Sequence, residues 1–265
     1  MTGFFHYKGG RIHYTDQGKG RVIVLIHGYL ETHEVWKDFA RKLAGKHRVI
    51  CVDLPGHGKS DLLSATLTMD SIAEIIMEML KSTGIEKVFL TGHSLGGYIA
   101  LAFAEHYPGM LSGYCLFHSH PLADAPEALG KREREIALVK AGKKDLMYPD
   151  NVSKMFAAVN LEKLTGRLQR SKEIASSIPG EGIIAVLRGM MARPSRLAVM
   201  ESGRVPCLWI LGAMDNYINC ELAQTIVRLP ENAKLVILKN SGHLGFIEEE
   251  AKSLEILTKF INKYN

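Results

Sequence analysis

The sequence predicts an α/β protein: a doubly wound, mostly parallel sheet with an inserted helical segment. Three observations carry that reading. Short β-branched apolar runs recur along the chain, amphipathic helical stretches separate them, and the alternation stops after residue 120 to resume at Val205. Strands that alternate with helices close by right-handed crossovers, which places helices on both faces of a parallel sheet.

Residues 3–16 read as two strands around the turn Lys8-Gly9-Gly10. RVIVLIHG (21–28) is the near-continuous apolar run of a strand buried on both faces. HRVICVDLPG (47–56), KVFLTGHS (87–94), LSGYCLFHS (111–119), VPCLWILGAMD (205–215) and AKLVILKNSGH (233–243) repeat the pattern. The clearest helix is 68–81, where Ile72, Ile75, Ile76, Met79 and Leu80 form one apolar stripe and Thr68 is a suitable N-cap.

From Pro121 to Arg204 no strand run is found. Helical pieces are expected at 126–142, 150–158, 160–176 and 181–191, broken at Pro149, Pro179-Gly180 and Pro194. The expected division is therefore a core of 1–120 and 205–265 with a helical insertion at 121–204. Charge follows the same division. The formal net charge is +5, the insertion holds fifteen basic and ten acidic residues, and the remainder is balanced at eighteen of each. Such an excess is a solvated helix surface or a weak steering field for an anionic substrate.

A chain of 265 residues, 46% hydrophobic and 23% charged, is long enough for one large core with an insertion. Cys51, Cys115, Cys207 and Cys220 are scattered without a Cys-x-x-Cys pair, which predicts buried reduced thiols. The charge is too mild, and too free of basic runs with interleaved aromatics, to indicate nucleic acid. No stretch reaches the roughly 18 apolar residues of a membrane span, and the N-terminus lacks a signal-like run. A cytoplasmic protein starting near Met1 is the expectation.

The strongest chemical signal is Gly92-His93-Ser94-Leu95-Gly96-Gly97, directly after a strand and directly before the helix YIALAFAEHY. A serine on a sharp strand–helix turn needs small residues two before and two after it. The turn also sets Ser94 at a helix N-terminus, where N–H groups favour developing negative charge. A serine nucleophile needs a base, and the base needs an orienting acid.

At this point the chain resembles the α/β-hydrolase superfamily over nearly its whole length, and in particular its lidded serine esterases and enol-lactonase-like members. The resemblance implies a triad in the order serine, acid, histidine, here Ser94, Asp215 in LGAMDNYI and His243 in NSGHLGFIEEE, with Asp124 as the rival acid. It implies oxyanion donors at the Leu95 N–H and, from the turn His27-Gly28-Tyr29, the Tyr29 N–H. Trp36 stands where related proteins often carry a tryptophan. DLPGHGKSD (53–61) is similar to a family stretch and is read as a tight structural loop, and His27 as a structural histidine under its turn. The Gly-rich stretch lacks the Lys-Ser/Thr ending of a phosphate loop. The insertion is expected to be a lid. Its methionines Met147, Met155, Met190, Met191 and Met200 suit either lid core or a pocket for an apolar acyl or aryl group. Arg193 is expected to pair within the lid.

The segment FHSHPLAD (117–124) first suggests a metal site, since His118 and His120 share a face of an extended chain and Asp124 follows. It lies at the carboxyl end of the sixth strand, where open α/β sheets place their ligands. That makes the two histidines part of the wall of the Ser94 pocket, and Asp124 an N-cap candidate for the first lid helix. The candidate pocket residues are His93, His118, His120 and Met190; neither metal nor cofactor is called for.

The functional expectation is a serine hydrolase for a small ester, thioester or lactone. A carbon–carbon bond hydrolase or a cofactor-free perhydrolase needs the same triad. Serine at position 94 argues against the dehalogenases and epoxide hydrolases of the superfamily, which use aspartate. A non-catalytic receptor of the same fold often lacks a triad member, and here all three positions are filled.

Overall fold

Every apolar run expected to form a strand does so in the computed structural model, which describes residues 1–264 apart from the side chains of Leu222, Gln224 and Ile226. The strands are β1 (Thr2–Tyr7), β2 (Gly10–Gln17), β3 (Val22–Ile26), β4 (Arg48–Val52), β5 (Val88–His93), β6 (Leu111–Phe117), β7 (Cys207–Gly212) and β8 (Ala233–Leu238). They form one sheet in the order β1-β2-β4-β3-β5-β6-β7-β8. β1 and β2 are antiparallel to their neighbours, and all pairs from β4 to β8 are parallel. β5 and β7 are buried along their whole length, as strands covered on both faces must be.

The helices are α1 (Lys37–Leu43), α2 (Met69–Ser82), α3 (Leu95–His106), α4 (Pro126–Lys140), α5 (Tyr148–Met155), α6 (Thr165–Ser177), α7 (Gly180–Met191), α8 (Leu197–Glu201), α9 (Cys220–Ile226), α10 (Gly245–Glu248) and α11 (Glu250–Lys263). α1 packs with α11, and α2 with α3, giving two helix groups that flank the sheet. Thr68 caps α2 as expected, its hydroxyl accepting from the Ser71 N–H at 3.1 Å.

Between β6 and β7 lie α4 to α8, with no strand among the described residues. Several details differ from the sequence reading. α5 ends at Met155 rather than 158 and α6 begins at Thr165 rather than 160, because turns occupy the residues between them. α5 begins at Tyr148 rather than after Pro149, because a proline in the first helical turn lacks only an N–H that would have no partner there. α8 was not anticipated; five residues after Pro194 are too few to show a helical period. This segment is docked backbone to backbone. The Leu67 N–H donates to the Ala185 carbonyl at 3.0 Å, and α7 approaches so closely that a Cβ on Gly189 would overlap the Leu67 carbonyl. Arg196 adds ion pairs to Asp70 and, at 2.8 Å, to Glu105.

Cys51, Cys115 and Cys207 are buried thiols, and burial pushes Cys51 and Cys207 up to about 12; Cys220 is only half-buried. No helix among the described residues is long and apolar enough to cross a membrane.

Gly189→Ala should lower stability by about 1–3 kcal/mol, the usual cost of overpacking. Its urea unfolding midpoint should therefore fall, whereas Gly166→Ala, which meets open space, should not lower it. Equal midpoints for the two variants would refute the close docking of α7.

Candidate active site

Ser94 sits between β5 and α3 at φ 49°, ψ −110°, a left-handed backbone that a non-glycine residue adopts only when its surroundings impose it. Those surroundings are explicit. The Ser94 N–H donates to the Phe117 carbonyl at 2.9 Å, and the Ser94 carbonyl accepts from the Gly97 N–H and the Ser119 hydroxyl. A Cβ at Gly92 would overlap the Gly96 carbonyl, and one at Gly96 would overlap the Ile26 carbonyl of β3. The two flanking glycines of the motif are thus required by the close approach of α3 to the sheet.

His243 and Asp215 meet at the ends of β8 and β7. His243 Nδ1 lies 2.7 Å from Asp215 Oδ2, while the other carboxyl oxygen accepts from the Tyr217 and Ile218 N–H groups. The carboxyl is fully buried. Burial alone would raise it, but His243 and His118 facing it hold it well below the usual carboxylate range. The two loops touch directly, because Met214 N–H donates to the Ser241 carbonyl and Gly212 has no room for a Cβ beside Gly242. Glu248, whose role the sequence did not reveal, clamps the His243 loop. Its Oε1 accepts from the Gly242 and Leu244 N–H groups, and its Oε2 from the Ala157 N–H and the Asn160 amide. The His243 N–H donates to the Met155 carbonyl at 2.7 Å.

The turn after β3 is held from below. His27 is fully buried; its Nε2 accepts from the Leu54 N–H at 3.0 Å, so its proton is on Nδ1, donated to the Gly28 carbonyl. This is the structural role expected of His27. The Gly28 N–H donates to Glu31, and Glu31 also meets His93 Nδ1 at 2.8 Å. Burial would raise the Glu31 carboxyl, yet His93 and the Gly28 N–H beside it bring it below its ordinary value. His93 Nε2 donates to the His243 carbonyl at 2.8 Å. From its place in the motif His93 is expected in the pocket wall, and the structure corrects this: it is fully buried and outside the cavity lining, because both ring nitrogens are taken by this network. The Leu95 N–H is the first of α3, and the first N–H groups of a helix have no acceptor within it. Tyr29 follows the same turn, and its phenol donates to Glu135 at 3.1 Å.

Ser94 and His243 line one cavity of about 270 Å³ together with Tyr29, Leu30, Tyr98 and His120. Its far wall comes from the segment between β6 and β7, through Asp124, Lys131, Arg132, Glu135, Met155 and Met190. Of the four candidate pocket residues, His120 and Met190 line this cavity. His118 does not: it is fully buried under the cavity, against Asp215 and the Gly245 N–H. Met155 also lines the cavity, whereas Met147 and Met200 are core and Met191 is half-buried.

The apparent metal ligands of FHSHPLAD separate. His118 turns to Asp215, His120 Nε2 meets the Tyr98 hydroxyl at 3.1 Å, and Asp124 pairs with Arg132 at 2.6 Å and Arg193 at 2.8 Å. Asp124 is accordingly neither the partner of His243 nor the N-cap of α4. Ala125 holds the cap position, since two guanidinium groups compete for the Asp124 carboxylate. Arg193, stacked 3.8 Å over the Tyr98 ring, pairs within 121–204 as expected. The loop at 53–61 is structural too. Asp53 accepts from the His33 and Lys59 N–H groups and from the rings of His13 and His33, and the Ser60 hydroxyl closes back on its carbonyl.

A conserved sequence profile of the α/β hydrolase fold matches residues 21–250. The chain belongs to the α/β-hydrolase family, and it is a hydrolase. A 2-hydroxy-6-oxononadienedioate/2-hydroxy-6-oxononatrienedioate hydrolase of Paraburkholderia phymatum is 26% identical over 274 residues, covering 96% of this chain and 91% of that one. Among solved structures, an esterase of Thermogutta terrifontis with malate bound superposes with a TM-score of 0.93 at 24% identity, over 100% of this chain and 99% of the other. The enol-lactonase of Burkholderia xenovorans LB400 gives 0.90 at 18% identity, over 98% and 100%. These two likenesses show the shared fold.

Acid should destabilise the protein from near neutrality downward. Burial lowers His57 to about 3 and His118 and His120 to about 4, from an ordinary 6.5. The unfolded chain then binds more protons than the folded one, so stability present above pH 6.5 is lost as the pH falls toward those values. Urea midpoints measured downward from neutral pH should decline continuously. A flat profile down to pH 4.5 would contradict the neutral buried histidines. Separately, Glu248→Gln should cost about 1–3 kcal/mol, since its amide would face backbone donors with a donor; the same unfolding assay at neutral pH reads this loss.

Proposed function

We propose that this hydrolase cleaves small carboxylic esters, thioesters or lactones through an acyl-enzyme on Ser94. The observation that carries the reading is His243, held at 2.7 Å by the buried Asp215, lining one cavity with the strained Ser94. Ser94 Oγ adds to the carbonyl carbon as its proton passes to His243 Nε2. Asp215 keeps the Nδ1 proton in place and faces the positive charge that forms on the ring. The Leu95 and Tyr29 N–H groups are the donors for the oxyanion, each worth roughly 3–4 kcal/mol in transition-state stabilisation. Collapse of the adduct breaks the bond to the leaving alcohol or thiol, which takes the proton back from His243. Water then adds to the acyl-enzyme with His243 as its base; the carboxylic acid leaves and Ser94 recovers its proton.

In this reading 121–204 is a lid and 1–120 with 205–265 the core. Leu30, Met155, Met190 and Ile218 offer an apolar side to the substrate. α4 offers a charged side, where Arg132 is paired with Asp124 and Glu135 accepts from Tyr29, so the cation open to a substrate among the described residues is Lys131, whose ammonium lies 5.0 Å over the Tyr217 ring. A substrate with an apolar acyl part and a carboxylate elsewhere fits both sides. That observation also favours a second reading, carbon–carbon cleavage of a vinylogous diketone acid with the same triad, since the Paraburkholderia relative is named for a dioate.

A fluorophosphonate probe should label wild-type protein and leave Ser94→Ala unlabelled. Asp215→Asn should lower kcat for p-nitrophenyl esters by about four orders of magnitude, and Asp124→Asn by far less. The reverse ranking would move the orienting acid to β6. Comparing p-nitrophenyl butyrate with its mono-succinate analogue tests Lys131: Lys131→Met should raise KM for the succinate alone.

A further inference from the structure

His118 is a buried histidine that the proposed chemistry does not use, and its hydrogen bonds define its protonation. The Gly245 N–H points at His118 Nε2 at 3.0 Å, so Nε2 must be the bare, accepting nitrogen. The ring proton is therefore on Nδ1. Nδ1 makes no full hydrogen bond among the described residues, and the acceptor nearest to it is Asp215 Oδ2 at 3.4 Å. That is the same oxygen that His243 Nδ1 approaches to 2.7 Å. Two histidines thus converge on one carboxylate oxygen, one on the wall of the cavity and one sealed beneath it.

The placement of His118 is itself constrained. Its backbone is left-handed, at φ 48°, and its N–H donates to the Ile210 carbonyl of β7 at 2.8 Å. Its ring stacks on Phe117, with centroids 5.2 Å apart. Gly245 opposite must lack a side chain, because a Cβ there would collide with His118 Nε2. A strained residue, an obligatory glycine and a committed tautomer all aim one N–H at the Asp215 carboxylate.

We infer that His118 is a positioning residue for the proposed reaction: its Nδ1–H gives Asp215 Oδ2 a second donor, which fixes the carboxylate beneath His243 and tempers its pull on the His243 proton. The inference rests on the reading of Ser94, His243 and Asp215 as a triad. The ionisable groups facing this pair are few. His243 and His93 lie together on one side of His118, with ring centroids 5.8 and 6.2 Å away and 4.9 Å from each other. Asp215 faces His243, His118 and the Tyr217 phenol. Burial keeps His118 neutral, lowering it to about 4, so it donates without adding a charge across the neutral pH range.

Two substitutions separate the two ring nitrogens. In His118→Gln the amide oxygen reaches the position of Nε2 and can still accept from Gly245, while the donor to Asp215 is lost. In His118→Asn the amide nitrogen reaches the position of Nδ1, while the acceptor for Gly245 is lost. His118→Gln should melt near wild type, lose about tenfold in kcat on p-nitrophenyl esters with KM unchanged, and shift the acid limb of its kcat/KM profile to higher pH; one hydrogen bond to a charged group has that order of effect. His118→Asn should do the opposite, melting lower while keeping kcat within about twofold of wild type. A His118→Gln enzyme with wild-type kcat and pH profile overturns the inference, as does loss of activity in both variants in proportion to lost folded protein. If His118→Gln does not fold, 15N NMR of the wild-type histidines decides: a neutral Nδ1–H tautomer at His118 supports the inference, and an Nε2–H tautomer overturns it. Failure of fluorophosphonate to label wild-type Ser94 would instead sink the triad reading, and the tautomer remains measurable either way.

Discussion

The arrangement around Ser94 depends on one close approach, the first turn of α3 pressed against β3 and β5. At Gly92 and Gly96 there is no space for a Cβ, and the chain can turn from strand to helix only through a left-handed Ser94. A backbone of this kind costs about 1–3 kcal/mol, and packing against the sheet must supply it. β5 lies between β3 and β6 in the sheet, so whatever fixes the Ser94 turn also fixes its neighbours. The turn after β3 brings Tyr29 to one side, and the end of β6 brings His118 and His120 to the other.

Buried carboxylates hold the loops at this edge in register. A carboxylate removed from water must find donors or give up its charge. Asp215 takes two backbone N–H groups and His243, Asp53 takes two backbone N–H groups and two histidines, and Glu31 takes the Gly28 N–H and His93. Each set of donors comes from segments far apart in sequence. Such a carboxylate is a crosslink between strand ends, and its electrostatic cost is offset only when all the loops are in place. The same requirement makes the edge of the sheet rigid where a cavity needs fixed walls.

Much of this was legible in the sequence because it rests on short-range patterns. β-branched runs mark the strands, the spacing of Ile72, Ile75, Ile76 and Met79 marks α2, and Gly92-His93-Ser94-Leu95-Gly96 marks its turn. What was not legible rests on contacts at long range. Nothing local distinguishes His118 from His120, yet the left-handed turn at 118 sends one ring down to Asp215 and leaves the other on the cavity. Asp124 reads as a helix cap until Arg132, eight residues on, and Arg193, beyond the end of α7, reach it. Glu31 and Glu248 look like surface acids. Only their separations of 62 residues from His93 and 88 from Asn160 reveal them as buried or half-buried anchors.

The helical segment between β6 and β7 is more than a cover for the cavity. The Met155 carbonyl accepts from the His243 N–H, and Glu248 joins the Ala157 N–H to the N–H groups on both sides of His243. The end of α5 and the residues after it are therefore part of the support of His243. α4 stands differently. Its side chains reach the cavity, but its link to the turn after β3 is one hydrogen bond from Tyr29 to Glu135. Lifting the α5 end would break the backbone bond to His243 and unseat Glu248 together, whereas moving α4 would break the hydrogen bonds of Glu135 to Tyr29 and Asn151, the Arg132–Asp124 pair and the packing of Val139. The α4 wall is thus held through its side chains, and the wall behind His243 through backbone hydrogen bonds of the triad loop itself.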